Sequence, residues 1–240
     1  MEEKKLMYKR VLLKISGEAL AGEKKTGLDF EVVNAVCQAV KNCVDLGVEV
    51  GIVVGGGNFW RGVKDGGGKM DRVRADHMGM MATVMNSLAL ADVLSQLGVD
   101  ARVQTALELK AVAEPYIQKK AVSHLETGKV VIFGCGTGCP YFSTDTGAVL
   151  RAAEIQADAI LLAKNIDGVY NADPKKDPNA VRYDSITYDE VLAKHLAVMD
   201  TTATSMAMDN QIPVIVFAVK DPQNIIRVLH GEAVGTLVHA

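Results

Sequence analysis

This 240-residue chain lacks long apolar runs and a strong charge of either sign. No stretch approaches the ~18 consecutive apolar residues that a membrane helix needs. Residues 1–10 are charged, and no apolar run that resembles a signal-peptide core follows them. We therefore expect a cytoplasmic protein with no membrane partner. The formal net charge of −3 gives no electrostatic footprint for DNA or RNA, so we expect no nucleic-acid partner.

Common catalytic and cofactor motifs are also missing. No GxxxxGK segment followed by Ser or Thr is present, which excludes a P-loop protein. The segment Gly134-x-Gly136-x-x-Cys139 lacks the third glycine of the dinucleotide-binding fingerprint, and neither GxSxG nor HExxH occurs. The four cysteines form no CxxC pair and no zinc-ligand spacing with the histidines, so we expect reduced thiols and no directly bound metal.

Short β-branched runs alternate along the chain with stretches of helical periodicity. Helices are predicted over residues 29–46, 71–97 and 146–157. Apolar strands that alternate with helices indicate a mainly parallel sheet covered on both faces. We therefore predict an α/β protein, a three-layer α/β/α sandwich formed by a single domain over residues 1–240. The predicted strands are residues 11–15, 48–54, 101–105, 130–133, 159–162 and 214–217.

Glycine and small polar residues follow four of the predicted strands. In open α/β sheets ligands bind outside the carboxyl ends of the strands, so these segments mark the predicted site. Two other segments, residues 62–69 and 171–179, are predicted to be exposed loops beside it. The four strand-end segments are residues 16–19, 55–58, 134–138 and 164–168.

Three features of these segments each allow two interpretations. The glycines at 55–57, with Arg61 nearby, are typical of a phosphate-binding turn and equally of a tight strand-to-helix connection. Lys14 either meets a phosphoryl group in transfer or is an edge lysine that reaches solvent. Asp145 either orients lysines or a metal, or only caps the helix that follows it.

An ordered set of motifs resembles the bacterial uridylate kinases of the amino acid kinase family, nearly from end to end. The set is KISGEAL at 14–20, GGGN at 55–58 with Arg61, DHMGMMATVMN at 76–86, TGCPYFSTD at 137–145, DGVYNADP at 167–174 and VMD at 198–200. The resemblance implies the amino acid kinase fold, with ATP and Mg²⁺ as cofactor. It also implies reversible transfer of the γ-phosphate of ATP to UMP, giving UDP and ADP.

The resemblance also implies roles for individual residues. Catalytic roles are implied for Lys14, Arg61, Asp145 and Asp200. ATP binding is implied for Lys14, Ile15, Ser16, Gly17, Gly57, Arg61, Lys164, Asn165, Tyr170 and Asp173. UMP binding is implied for Gly56, Asp76, Thr137, Gly138, Cys139, Pro140, Tyr141, Phe142, Ser143 and Thr144. Residues 1–150 would mainly bind UMP and contact other subunits, and residues 151–240 would mainly bind ATP.

Regulation and assembly are expected from the same resemblance. Family members are typically homohexamers of pyrimidine biosynthesis that GTP activates and UTP inhibits. One departure is Cys139, which stands where the family usually has asparagine and which is a weak hydrogen-bonding partner. The loop implied to respond to GTP consists of Gly22, Glu23, Lys24, Lys25, Thr26 and Gly27.

Two alternatives remain open on the sequence. One is another small-substrate amino acid kinase, such as a carbamate or acetylglutamate kinase, although the motifs at 76–86 and 137–145 resemble the uridylate branch. The other is a non-catalytic nucleotide-binding or storage protein on the same fold, since a fold never fixes a function. A storage role would not require Lys14, Arg61 and Asp145 together.

Overall fold

The computed structural model describes residues 6–61, 68–174 and 176–240. Parts of both predicted loops, at 62–67 and 175, lie outside the described residues. Within the described part, the strands form a nine-stranded sheet and a two-stranded ribbon, β7 with β8. The strands are β1 Arg10–Ile15, β2 Glu49–Val54, β3 Ala101–Thr105, β4 Glu114–Pro115, β5 Val130–Gly134, β6 Ala159–Lys164, β7 Val169–Tyr170, β8 Arg182–Tyr183, β9 Ser185–Thr187, β10 Val214–Ala218 and β11 Thr236–His239.

The large sheet is mainly parallel, as predicted. Its order is β4-β3-β5-β2-β1-β6-β10-β11-β9. Neighbours from β4 to β10 are parallel, whereas β11 runs antiparallel to β10 and pairs in parallel with β9. The six predicted strands are all present, and the five strands that were not predicted are short, with two to four residues each.

Helices cover both faces of the sheet, so the predicted three-layer α/β/α architecture is confirmed. The cluster on one face includes residues of α2, α3 and α8, and the cluster on the other face includes residues of α4 to α7. A 3₁₀ turn lies at Gly22–Lys24. The helices are α1 Gly17–Leu20, α2 Phe30–Asp45, α3 Arg72–Gln96, α4 Gln118–Glu126, α5 Thr144–Glu154, α6 Tyr188–Ala193, α7 Thr201–Asp209 and α8 Asn224–Leu229.

The start of α5 differs from the prediction. The sequence predicted a helix over 146–157, with Asp145 as its possible N-cap. The helix begins at Thr144, and its cap is Ser143, whose side chain accepts the Thr146 N–H. Asp145 lies in the first turn, where its side chain projects from the helix instead of closing its end. The N-cap interpretation of Asp145 is therefore wrong.

Helix α3 qualifies the expectation that no segment resembles a membrane helix. It is the single described helix that is long and apolar enough to cross a membrane, judged by length and composition alone. Half of its apolar window is buried inside the structure, where α3 contacts α2, β3 and β5. A core helix of a globular protein has the same properties.

The topology creates one position where ligands are expected. From β1 the chain crosses to β2 on one side, and from β6 it crosses to β10 on the other side. Because β1 and β6 are neighbours, their following loops diverge and leave a crevice at their carboxyl ends. The segments after β1, β2, β5 and β6 all open toward this edge, so the fold brings the four predicted strand-end segments together.

Candidate active site

Lys14 and Asp145 form an ion pair at the crevice between β1 and β6. Side chains alternate along β1, so Leu13 and Ile15 face the cluster that includes α2, whereas Leu12 faces the α5 side. Lys14 continues the row of Leu12 and places its Nζ 2.6 Å from the Asp145 carboxylate. The two side chains are only 10% and 18% exposed, so water screens the pair weakly.

A second lysine ends β6 beside this pair. The Lys164 ammonium donates a hydrogen bond to the Val198 carbonyl. Burial lowers the pKa of Lys164, an effect that Asp145 opposes and that Lys14 reinforces. Two partly buried ammonium groups, Lys14 and Lys164, therefore interact with the Asp145 carboxylate, and their combined charge favours an additional anion such as a phosphate.

Asp200 holds two helix ends together. Its side chain caps α7 by accepting the Ala203 N–H at 3.0 Å. The same carboxylate accepts hydrogen bonds from the Ser143 hydroxyl and, at 3.1 Å, from the Thr146 hydroxyl at the start of α5. Asp200 thereby fixes the helix that carries Asp145.

The glycines after β1 and β2 pack backbone against backbone. A Cβ at Gly17 would lie 2.4 Å from the Gly55 carbonyl oxygen, and a Cβ at Gly56 would lie 2.7 Å from the Cβ of Ala82 in α3. Neither position can hold a side chain without moving the chain. At Gly57 a Cβ would meet only ordinary contacts of 3.5 Å or more, because this glycine faces the crevice. The turn therefore brings peptide groups close together beside Lys14.

A pair of buried amides fixes the glycine turn. The side chains of Asn58 and Asn86 donate to one another at 2.9 Å and 2.8 Å. Their remaining amide hydrogens bond the Gly27 and Gly55 carbonyls, each at 2.7 Å. The sequence alone gives no indication of a role for either asparagine. Their pairing joins α3, the glycine turn and the loop at residues 22–27.

A cleft lies on the β5 side of Lys14, here called the β5-side cleft. Its volume of about 380 Å³ is in the range of small-molecule sites. Eight of the ten residues implied to bind UMP line it, whereas Gly138 and Pro140 are not among its lining residues. The predicted residues that line the cleft are Gly56, Asp76, Thr137, Cys139, Tyr141, Phe142, Ser143 and Thr144. Lining residues for which no UMP contact was predicted include Trp60, Arg72, Met80, Thr83 and Gly136.

Asp76 stabilises one wall of the β5-side cleft. Its carboxylate accepts the Arg72 Nε–H at 2.9 and 3.0 Å and the Tyr141 backbone N–H at 2.8 Å. The Arg72 guanidinium also lies 5.0 Å from the centre of the Tyr141 ring. These contacts hold the loop before α5 against the start of α3, across the mouth of the cleft.

The loop after β5 has an unusual backbone. Cys135 and Tyr141 adopt left-handed φ angles of 65° and 71°, which non-glycine residues rarely occupy. The Cys135 N–H donates to the Thr83 hydroxyl at 2.8 Å, which fixes the first of these turns. Cys139 is an exposed free cysteine, and its backbone N–H bonds the Thr137 hydroxyl at 3.1 Å.

A second cleft, the β6-side cleft of about 420 Å³, lies on the other side of Lys14. Lys164, Tyr170 and Asp173 line it, as predicted for one ligand site. Residues 194–198 form the opposite wall and were not predicted. The Tyr170 hydroxyl donates to Asp167 at 2.8 Å, and this hydrogen bond raises the pKa of Tyr170.

A third cleft adjoins the β5-side cleft. Gly57 and Arg61 line both it and the β5-side cleft, while Asn165 enters it from the end of β6. Arg61 forms an ion pair with Glu18. Gly22, Lys25 and Thr26 of the predicted regulatory loop also line it, whereas Glu23, Lys24 and Gly27 do not.

Of the residues implied to bind ATP, four line none of the three clefts, namely Lys14, Ile15, Ser16 and Gly17. Ile15 and Gly17 are buried, and the Ile15 side chain packs in the core, so only its backbone can face the site. Ser16 is the N-terminal flanking residue of α1 and its side chain makes no capping bond. Among the described residues no three His, Cys, Asp or Glu side chains cluster as a metal site.

Comparison with known proteins identifies the family. The amino acid kinase family matches residues 9–218. The chain is 42% identical to a UMP kinase from Bacillus anthracis, with a TM-score of 0.93 and coverage of 97% of this chain and 96% of that chain. It is 39% identical to a UMP kinase from Ureaplasma parvum, with a TM-score of 0.92 and coverages of 97% and 99%.

A more distant likeness agrees with these two. The chain is 28% identical to a uridylate kinase from Archaeoglobus fulgidus, with a TM-score of 0.73 and coverages of 95% and 99%. The shared fold therefore extends over nearly the whole of each chain. From the family match and the two nearly full-length bacterial relatives, we conclude that this chain belongs to the amino acid kinase family.

Proposed function

We propose that the protein is a uridylate kinase, which reversibly transfers the γ-phosphoryl group of ATP to UMP and gives UDP and ADP. The observation that carries this proposal is the likeness to bacterial UMP kinases over 97% of the chain. The largely buried Lys14–Asp145 pair at the crevice between β1 and β6 supports it, because phosphoryl transfer needs fixed positive charge beside the moving group.

UMP is proposed to occupy the β5-side cleft. The Thr137 to Thr144 segment and Gly56 would surround the base and phosphate, as the resemblance implied. Asp76 uses three of its approximately four acceptor sites on Arg72 and Tyr141, so it retains capacity for a ribose hydroxyl.

ATP is proposed to occupy the β6-side cleft, with its phosphates directed toward Lys14. Tyr170, Asp173 and residues 194–198 would enclose the adenosine. Lys164 and Asn165 would meet the phosphates, together with backbone groups of Ile15, Ser16 and Gly17. Mg²⁺ enters as part of the ATP substrate complex and, when bound, neutralises charge on the phosphates. The chain would thus divide into a UMP-binding part near 1–150 and an ATP-binding part near 151–240.

The protein's own contribution to the reaction is position and charge. Lys14, Arg61 and the Gly57 N–H would stabilise the negative charge on the moving phosphoryl group. Asp145 would hold the Lys14 ammonium in place, and Asp200 would fix the helix that carries Asp145. The attacking group is a UMP phosphate oxygen, which is already ionised at neutral pH, so the reaction requires no strong general base.

Regulation and assembly are part of the proposal. We propose a cytoplasmic homohexamer of pyrimidine nucleotide biosynthesis that responds to GTP and UTP, with GTP near the loop at 22–27. The exposed apolar side chains of Met78, Met85 and Leu88 on α3 support a subunit contact there. The loop at 22–27 is coupled to the glycine turn through Asn58, whose side-chain amide donates to the Gly27 carbonyl.

A coupled ADP-release assay tests the function. ATP–Mg²⁺ is offered with UMP, CMP, dUMP, carbamate or N-acetylglutamate, and we expect strong turnover with UMP. Turnover with carbamate or N-acetylglutamate instead would assign another branch of the family. A protein that binds ATP and turns over none of these acceptors would contradict the proposal and indicate a storage or sensing role.

A further inference from the structure

Arg151 is a buried arginine that the proposed reaction does not use. Its side chain is only 5% exposed, and its guanidinium forms an ion pair with Glu154 one helical turn further along α5. The guanidinium also stacks on the Tyr116 ring, 3.8 Å from the ring centre. The Tyr116 hydroxyl donates to the same Glu154 carboxylate at 2.6 Å. Burying an arginine is costly, and an apolar side chain would fill this space without that cost.

The guanidinium makes one further contact, with the loop after β5. Its Nη2 donates to the Gly136 carbonyl at 3.2 Å. Gly136 lies at a left-handed φ of 54° in the loop that lines the β5-side cleft. Gly147, one helical turn before Arg151, packs on the same glycine, because a Cβ at Gly147 would lie 3.1 Å from the Gly136 Cα. Two positions on one face of α5 therefore fix a single peptide group.

This peptide group connects the buried cation to the cleft. The Gly136 carbonyl and the Thr137 N–H belong to one planar trans peptide and point in opposite directions. Holding the carbonyl on Arg151 aims the Thr137 N–H away from the helix. Thr137 lines the β5-side cleft, and its hydroxyl in turn holds the Cys139 N–H. The orientation of one peptide thus determines the course of the loop through Cys139.

We propose that Arg151 is a positioning residue for the acceptor, which sets the loop at 136–139 in the shape that binds UMP. This inference rests on the proposed function, in which UMP occupies the β5-side cleft. Tyr116 and Glu154 hold the guanidinium in the plane that meets the Gly136 carbonyl. Arg151 itself stays outside the reacting groups, so its loss affects acceptor binding and leaves the ATP site intact.

Arg151→Lys is the decisive variant, because lysine keeps the charge but lacks the planar fork that stacks and bonds at once. We expect the KM for UMP to rise about tenfold, in line with the loss of one charge-assisted hydrogen bond. The KM for ATP and kcat should stay within about twofold, since these depend on groups that Arg151 does not touch. Arg102→Lys, at the beginning of β3 in an exposed pair with Asp100, is the matched control and should leave both KM values unchanged.

Amide hydrogen exchange gives a readout that is independent of substrate. In Arg151→Lys the amides of 137–139 should exchange faster, while those in the middle of α5 keep their protection. An equal rise in both KM values, or faster exchange throughout α5, would mean that Arg151 only supports the helix and would overturn the proposal. If Arg151→Lys does not fold, the milder Glu154→Gln is used, and the same selective pattern at smaller size is required.

The two proposals fail in different ways. Absence of UMP turnover in the unmodified protein would contradict the proposed function, and the exchange experiment would still test the role of Arg151. Normal UMP turnover, combined with an unchanged KM for UMP and unchanged loop exchange in Arg151→Lys, would overturn the positioning role alone.

Discussion

The two clefts beside Lys14 are built in different ways. In the β5-side cleft, side chains hold the wall through its backbone, since Thr83 fixes the Cys135 N–H and Asp76 fixes the Tyr141 N–H. In the β6-side cleft, the Tyr170 hydroxyl donates to the half-exposed Asp167 of its own loop, and Asp173 pairs at 3.8 Å with the exposed Lys176. The β5-side cleft is therefore suited to discriminate its ligand by fixed hydrogen bonds, whereas the β6-side cleft offers a more adaptable wall.

The largest effect is expected at the Lys14–Asp145 pair. In Asp145→Asn the neutral amide no longer holds the Lys14 ammonium by charge, and kcat should fall by about 10²–10³-fold, as for the loss of one transition-state stabilising group. The melting temperature should change little, because asparagine has the size of aspartate and its amide oxygen can still accept a hydrogen bond from Lys14. The assay is ADP release at saturating ATP and UMP. Asp45→Asn, in the exposed Lys41–Asp45 pair, is the control. Normal turnover in Asp145→Asn would refute the role of Asp145.

On the β5 side, Asp76→Asn should weaken UMP selectively. The amide loses the negative charge, and its NH2 group takes the place of one oxygen that accepts the Arg72 Nε–H, so the contacts to Arg72 and Tyr141 weaken. We expect the KM for UMP to rise about tenfold, with the KM for ATP within about twofold. Asp92→Asn, at an exposed site on the same helix, serves as control. Equal changes in both KM values would break the distinction between the clefts.

On the β6 side, Tyr170→Phe should have a smaller effect, which raises the KM for ATP instead of the KM for UMP. The change removes the hydrogen bond to Asp167 but keeps the ring. We expect the KM for ATP to rise about twofold, as an exposed hydrogen bond contributes little, and the KM for UMP to stay the same. Steady-state kinetics with each substrate varied in turn measure this. A tenfold rise would show that the β6-side wall is as rigidly determined as the other one.

The smallest effect concerns stability at the outer edge of the β5 side. Burial alone would raise the pKa of Glu114, but hydrogen bonds from Gln104, Lys120 and His124 outweigh it and lower that pKa to about 2. A carboxylate with a depressed pKa stabilises the fold above its unfolded pKa of 4.5, and this contribution is lost as pH falls toward 2.

In Glu114→Gln the unfolding free energy should therefore decrease less between pH 4.5 and 2 than in the unmodified protein. Turnover at neutral pH should be unchanged. Urea unfolding at several pH values measures the slope. Glu108→Gln, in an exposed pair with Lys110, is the control and should keep the slope of the unmodified protein. An unchanged slope in Glu114→Gln would mean that these hydrogen bonds do not lower the Glu114 pKa in solution.

The helices and strands could be predicted from the sequence where apolar residues recur with a regular period. The limits of α2 and α3 agree with the prediction within one residue, because a buried helical face recurs regularly along the sequence. The short strands β9 and β11 were not predicted. They have three and four residues and gain their stability from pairing with each other and with β10, which no local pattern reveals.

The candidate site was predicted in part, and its gaps have a common cause. Glycine-rich segments at strand ends located the clefts, because backbone that approaches a ligand closely needs glycine. Asn58 and Asn86 are 28 residues apart, and a buried asparagine in a helix has the same sequence signature as an exposed one. Arg151 similarly resembles a surface residue of an amphipathic helix. Polar residues that pair only in the folded chain leave no periodic signal.

The central position of β1 has a consequence for the order of synthesis. The Arg10 backbone N–H at the start of β1 meets the Asp158 carboxylate, 148 residues later. Strands β1, β2, β3 and β5 can pair before β6 leaves the ribosome, but until then β1 presents an unpaired apolar edge. Such an edge is a template for wrong pairing with other chains. A chaperone that shields nascent sheets would therefore act on this protein in the interval between synthesis of β5 and synthesis of β6.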